Sequence, residues 1–255
     1  MKKHFLLRLL IFGLFALLTI SCSSDVTSPE QNGTLKLNLT DAPSGYDAVN
    51  ITFSEISAHI DSDWISVVGE PITVNLLDYN NGETFLLGSE SLPSGKYTQI
   101  RLFITEASVT VDGELHSMTV PSDKLKIGPQ FTIEDGITYE LVIDFDASRS
   151  VVVSGPKDDP KYKLKPHIRA VPMAVTGSIS GNVTNHENNP IAYAIQGEDT
   201  LTSSIVRDDG TFTLGFLLDG SYRVDVEDDS LQTYSASNVT VNIGENTDLG
   251  DIILE

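Results

Sequence analysis

The 255-residue chain reads as an all-β protein, two β-sandwiches in series behind an N-terminal export segment. Three observations carry that fold class. Apolar residues alternate with polar ones at period two in many short runs, as half-buried strands require. Turn-forming clusters such as "DAPSG", "NNGE", "LPSG", "DDG" and "LDG" fall between the runs. Beyond the first thirty residues, no stretch of eleven or more keeps a helical apolar period. Such a pattern predicts stacked antiparallel sheets.

The chain opens with Lys2, Lys3 and Arg8, followed by an uncharged run, Leu9 to Ile20, and the small Ser21. This is the three-part layout of an export signal over residues 1–21. The run is too short for the ~20 apolar residues that span a bilayer. Cys22 follows at once and is the only cysteine, so it has no internal disulfide partner. Leu18, Thr19, Ile20, Ser21 and Cys22 together resemble the lipobox of bacterial lipoproteins, with Thr19 where leucine is usual. The resemblance implies acylation of the Cys22 thiol (palmitate or a similar chain) and its exposure as the mature N-terminus. Several acyl chains hold a protein on a membrane far more firmly than one. Ser23 after Cys22, where Asp would favour inner-membrane retention, points to the outer membrane of a bacterial cell envelope. Residues 22–32 are small and polar with Pro29, the composition of a flexible tether.

Removal of residues 1–21 leaves 13 Lys and Arg against 36 Asp and Glu, a net charge of −23. That charge excludes nucleic acid as a partner and repels anionic lipid, so membrane contact is expected through the acyl groups. Polysaccharide or another envelope protein remain as partners. From Gly33 the strands begin: Leu35, Leu37 and Leu39, then Val49, Ile51 and Phe53, then Ile100, Leu102 and Ile104, then Leu141, Ile143 and Phe145. Pro172 interrupts the pattern, placing a first sandwich at 33–173 and a second at 177–255. The second carries Arg207 and Arg223 as its only Lys or Arg residues against fourteen acidic ones. Its expected core is Ile179, Val183, Ile195, Phe212, Leu214, Tyr222, Val224, Val239, Val241 and Ile253, and Ile243 continues the alternation of its late strand. Both halves place a glycine two residues before a strand-opening tyrosine, Gly95 before Tyr97 and Gly220 before Tyr222. Such a tyrosine can bury its ring and bond its hydroxyl to backbone, as in the tyrosine corner of immunoglobulin-like sandwiches.

"GTLKLNLTDAPSGYDAVNITFSEISAHI", "LLGSESLPSGKYTQIRLFI", "FTIEDGITYELVIDFDASRSVV" and "YKLKPHIRAV" together resemble the bacterial domain of unknown function 4382. "GSISGNVTNHENNPIAYAIQ", "DDGTFTLGFLLDGSYRVDVE" and "NVTVNIGENTDLGDIIL" resemble the carboxypeptidase regulatory-like domain, a transthyretin-like Greek-key sandwich. The first resemblance implies no established activity. The second implies a non-catalytic accessory module, and similar folds include starch-binding domains.

Chemistry-bearing motifs are sparse. The histidines after the signal are His59, His116, His167 and His186, and none sits in a nucleophile motif. No triad can be drawn, so the chain is read as a non-enzyme, with an accessory hydrolase the least favoured alternative. The "DFD" pair Asp144 and Asp146 offers oxygen ligands that would suit calcium, although the acidity of the chain alone accounts for such pairs and no EF-hand spacing follows. Carbohydrate binding would need exposed aromatic platforms, for which the candidates are Tyr193 and Tyr234, in or beside loop-like stretches, and Trp64, although core or corner places suit the two tyrosines better and a place in the sandwich suits Trp64. The function expected is a lipid-anchored, non-catalytic binding or structural module of the envelope, with a carbohydrate-binding surface lipoprotein as the alternative. Finally, in "KYKLKPHIR" alternation sets Lys161, Lys163, Lys165, His167 and Arg169 on one strand face. That row would either protect an edge strand or orient the acidic second sandwich.

Overall fold

The computed structural model describes residues 31–128 and 130–255, and residues 31–255 form one compact unit. The expected signal segment, Cys22 and most of the expected tether lie outside the described residues. Twenty strands are described in chain order: β1 (Asn32–Ala42), β2 (Ala48–Ile60), β3 (Asp63–Val68), β4 (Ile72–Asn75), β5 (Phe85–Pro93), β6 (Gly95–Val111) and β7 (Glu114–Thr119) come first. Then follow β8 (Lys124–Ile127), β9 (Phe131–Ile133), β10 (Thr138–Asp146), a short helix α1 (Ala147–Ser150), β11 (Val151–Ser154), β12 (Lys161–Leu164) and β13 (Ile168–Pro172). After a 3-10 turn, Met173–Val175, come β14 (Thr176–Val183), β15 (Ile191–Gln196), β16 (Asp199–Ile205), β17 (Thr211–Leu218), β18 (Gly220–Glu227), β19 (Thr233–Val241) and β20 (Asn246–Ile252).

The all-β sandwich class holds. Strands β1 to β13 make a four-stranded sheet, β13-β10-β1-β5, and a nine-stranded sheet built on β2 and β6. Strands β14 to β20 make a three-stranded sheet, β17-β14-β20, and a four-stranded sheet, β16-β15-β18-β19. Each pair of sheets encloses its own core. Leu35, Leu37, Leu39, Val49, Ile51, Phe53, Ile100, Leu102, Leu141, Ile143 and Phe145 are completely buried in the first. Burying one such side chain stabilises the fold by about 1.5–3 kcal/mol relative to exposure, which is why the period-two runs choose their faces without ambiguity.

Both tyrosine corners form. Tyr97 donates from its hydroxyl to the Pro93 carbonyl at 2.9 Å, and Tyr222 donates to Leu218 at 2.8 Å, each four residues back. At both places the chain leaves one sheet and enters the facing one, β5 to β6 and β17 to β18. The buried ring fills the turn while the hydroxyl bonds the carbonyl of the residue four back, at the end of the preceding strand. Gly95 takes φ +157°, a conformation strained for any side chain, and a Cβ there would also stand 2.7 Å from the Ile60 Cδ1.

The second core differs from expectation at three positions. Ile253 is 64% and Ile243 52% exposed, and Ile195 is half-buried. In β20 the pairing with β14 shifts register between Ser180 and Asn182, with Gly250 at φ +69°, so the alternation flips and Ile252 and Leu254 turn inward. Ile243 lies just past the end of β19. In β15 the small Ala192 and Ala194 face the core, in one buried cluster with the Phe212 and Tyr222 rings.

The basic row of residues 161 to 169 is broken by the fold. Lys161 and Lys163 sit on β12, which is flanked by β11 and β7 and is not an edge. The chain then crosses between sheets, and Arg169 lies on β13, the edge strand of the four-stranded sheet. A single residue of the row, Arg169, reaches the second sandwich.

Candidate functional site at the joint of the two sandwiches

The strongest concentration of buried polar groups lies where the sandwiches meet. Parallel pairing of β1 with β10 brings Asp41 and Ala42 beside Phe145 and Asp146 at the ends of both strands. Asp146 then caps α1: its Oδ1 accepts from the Arg149 backbone N–H at 3.0 Å and from Ser148 at 2.7 Å, and its Oδ2 accepts from the Arg149 side chain at 2.5 Å. Burial works against ionisation of Asp146, but these hydrogen bonds outweigh it and hold its carboxyl below the usual range. Asp41 behaves oppositely. It is 3% exposed, its Oδ1 accepts from the Ala147 N–H at 2.8 Å, and its Oδ2 has no hydrogen-bond partner. Burial pushes its carboxyl well above the ordinary value, against the Ala147 bond and with help from the charges of Asp144 and Asp146.

Antiparallel pairing sets Arg169 of β13 directly opposite Asp144 of β10. Arg169 donates to Asp144 Oδ2 from Nη2 at 2.5 Å and from Nε at 3.2 Å, and its Nη1 donates to the Phe216 carbonyl of the second sandwich at 3.0 Å. Burial raises the pKa of Asp144, and the Arg169 charge opposes the rise. Removing either partner of so buried a pair leaves an uncompensated charge. The Phe216 carbonyl is aimed by a bulge in β17, where Phe216 takes φ +56°, a conformation costly to a large side chain. Arg149 makes a parallel contact, from Nη2 to the Thr200 carbonyl at 3.3 Å. Between these contacts remains a cavity of about 280 Å³ lined by Asp144, Asp146, Arg149, His167, Arg169 and Asp199, among others.

The other half of the joint is a turn. Asn81 and Gly82 both take positive φ, +58° and +79°, in the loop before β5. Asn81 Oδ1 accepts from Ser204 Oγ at 2.5 Å and from the Thr213 N–H at 3.1 Å, and its carbonyl accepts from Arg207 at 3.3 Å. The fit is close: a Cβ on Gly215 would stand 3.1 Å from the Gly82 Cα. The sequence marks "NNGE" as a turn, but nothing local announces that the turn docks on residues more than 120 positions away.

Of the residues singled out by sequence, Asp144 and Asp146 are therefore together at the joint, engaged with arginines. Among the described residues no group of three or more His, Cys, Asp or Glu side chains is placed to hold a metal ion. Trp64 is elsewhere. It lies half-buried on the outer face of the nine-stranded sheet, opposite His59 and beneath the Arg101 guanidinium, 4.1 Å from its ring centroid, and not in the sandwich core. Tyr193 is half-buried on the outer face of its sheet, opposite Ser203 and Asp225, with its pKa raised by burial and by the Glu227 charge. Tyr234 packs against the second core beside Val226. The two tyrosines thus face opposite ways and form no shared platform. One hydroxyl–imidazole contact, Thr98 Oγ1 with His59 Nδ1 at 2.7 Å, stands on the sheet surface, and among the described residues no carboxylate bonds the other ring nitrogen.

No curated protein matches the chain. Among solved structures, the TIE protein of Bacillus anthracis is 13% identical over 88% of this chain and 34% of its own, with a TM-score of 0.23. The major pilin subunit BcpA of Bacillus cereus is 10% identical over 88% of this chain and 70% of its own, with a TM-score of 0.22. The fimbrial anchor protein Mfa2 of Porphyromonas gingivalis is 11% identical over 80% and 82%, with a TM-score of 0.21. The chain thus spans about a third of the first of these. The model of the carboxypeptidase regulatory-like domain matches residues 178–255, and that of a domain of unknown function, DUF4382, matches residues 32–166. Matched over more than half its length, the chain belongs to the DUF4382 family, with a carboxypeptidase regulatory-like domain following.

Proposed function

We propose that this protein is a lipid-anchored, non-catalytic structural module of the bacterial cell envelope, held on the outer membrane through Cys22. The observation that carries the reading is the joint. The charged side chains that an enzyme cleft would leave free for substrate are here committed to one another and to the facing sandwich: Asp144 to Arg169, Asp146 to Arg149, and both arginines onward to carbonyls of the second sandwich. With Asn81 they tie the two sandwiches into a single body, as a spacer or display element on a short tether requires. Preorganised donors aimed at a vacant point, which catalysis would need, are not what these groups supply.

Metabolic labelling with a fatty acid tests the anchor. The parent chain should incorporate label and fractionate with outer membrane, and Cys22→Ala should do neither. Label retained by the mutant would remove Cys22 from the reading.

A further inference from the structure

On the outer face of the nine-stranded sheet, away from the joint, lies a surface that a structural module does not need. The guanidinium of Arg101 of β6 lies over two aromatic rings, 4.1 Å from the Trp64 centroid and 4.6 Å from that of Phe103. Its Nε donates to Ser57 at 3.2 Å, and Glu55 stands 3.7 Å from Nη2. Strand β8 pairs alongside, setting Lys126 opposite Arg101 and Lys124 opposite Phe103. The two ammonium groups lie over the same rings, Lys124 5.5 Å from Phe103 and Lys126 5.6 Å from Trp64. Among the described residues no carboxylate lies within ion-pair distance of either lysine. In a chain with 36 acidic residues, two adjacent exposed cations without an acidic partner mark a local reversal of charge. The aromatic rings orient the cations and shield one side of each from water.

Along the same face, where the strand beside β6 changes from β8 to β7, the sheet opens a groove of about 440 Å³. Its walls carry Asn50, Thr52, Thr73, Thr105, Ser108 and Ser117, with Glu106 as its charged member. Thr52 and Thr73 hydroxyls already bond each other at 2.8 Å, which fixes their direction across the β2–β4 pair. From Ser108 to Arg101 is seven residues of one strand, ~23 Å at the rise of an extended chain. The face thus carries neutral hydroxyl and amide groups at one end and a cation cluster at the other, on either side of the bulges where the β2–β6 register shifts.

We propose that this face binds a linear acidic glycan, its carboxylates on Lys124, Lys126 and Arg101 and its hydroxyls along the Thr–Ser–Asn groove. The inference goes beyond the structural reading above and does not depend on the anchor. Charge complementarity selects an anion, and the row of uncharged donors and acceptors selects a polyhydroxylated one.

The test uses the chain from Ser23 and measures retention on polygalacturonate, on neutral dextran, on polyphosphate and on anionic phosphatidylglycerol vesicles. Polygalacturonate should bind best, and raising salt should weaken it. The double variant K124E/K126E should weaken it by roughly 3- to 30-fold, the range expected for two exposed ion pairs. The double variant T52V/T73V should weaken polygalacturonate while leaving any polyphosphate binding unchanged. Equal retention of polyphosphate and polygalacturonate by parent and T52V/T73V would reduce the surface to a nonspecific anion patch. Retention by vesicles alone would assign it to a membrane. Either result, or no binding of polygalacturonate at low salt, overturns the proposal.

Discussion

Replacing Asn81 by Ala should loosen the joint without touching either core. The substitution removes the acceptor for Ser204 Oγ and for the Thr213 N–H. Ser204 is completely buried, so its hydroxyl loses its partner in a place water does not reach, a cost of about 1–3 kcal/mol. The half-exposed Thr213 amide adds about 1 kcal/mol. Asn81 also holds φ +58°, which alanine tolerates less well by about 1 kcal/mol. The total, about 3–5 kcal/mol, corresponds to a fall of about 6–20 °C in Tm if the compact unit melts as a whole. Two further variants separate the terms. Asn81→Gly keeps the backbone conformation and should lose about 2–4 kcal/mol, whereas Asn81→Asp keeps the acceptor and should remain close to the parent. Calorimetry is the assay, and the parent should give one transition where Asn81→Ala gives two. Small-angle scattering should show a larger radius of gyration for Asn81→Ala and little effect of salt on the parent, since a neutral amide and partly buried ion pairs hold the joint. A single, unshifted transition for Asn81→Ala would refute the claim that this turn couples the sandwiches.

Two other expectations follow from the buried polar groups. Tyr97→Phe and Tyr222→Phe should each lose about 1 kcal/mol, the worth of one hydroxyl bond, and the alanine variants about 3–5 kcal/mol by chemical denaturation; an alanine variant as stable as the parent would deny the corner its role. The buried Asp41 carboxyl is harder to ionise folded than unfolded. Unfolding therefore releases a proton above the unfolded pKa of about 4, and Asp41 lowers stability as pH rises from there towards its folded pKa, by up to about 1.4 kcal/mol per pH unit. Asp41→Asn should remove that decline, so that its stability relative to the parent improves from pH 4 to pH 7; a constant difference across that range would show Asp41 to be ionised in the folded chain.

Much of this protein is determined by short-range pattern. Where apolar and polar residues alternate strictly, as at Leu35–Leu39 or Val49–Phe53, burial gives the strand one stable facing, so strands, cores and the all-β class are legible from the chain alone. The same holds for the corners, because glycine, tyrosine and the receiving carbonyl lie within a few residues of one another. Bulges break this legibility. A single extra residue at Gly250 reverses the facing of everything after it, which is why Ile252 and Leu254, and not Ile253, complete the second core. Facing in β15 is equally nonlocal: Ala192 and Ala194 turn inward into a core shared with rings from other strands, while Ile195 stays half-buried. The joint and the basic face were decided only by the tertiary structure. Asn81 meets Ser204 and Thr213 across more than 120 residues, and Trp64, Arg101 and Lys126 meet across three strands. The run from Lys161 to Arg169 shows the limit in one segment, since alternation gave its residues a common face that the crossing between sheets then divided. Side-chain facing is a property of neighbours along the chain, whereas partnership between distant polar groups depends on which strands pair and in what register, and that is settled by the packing of the whole.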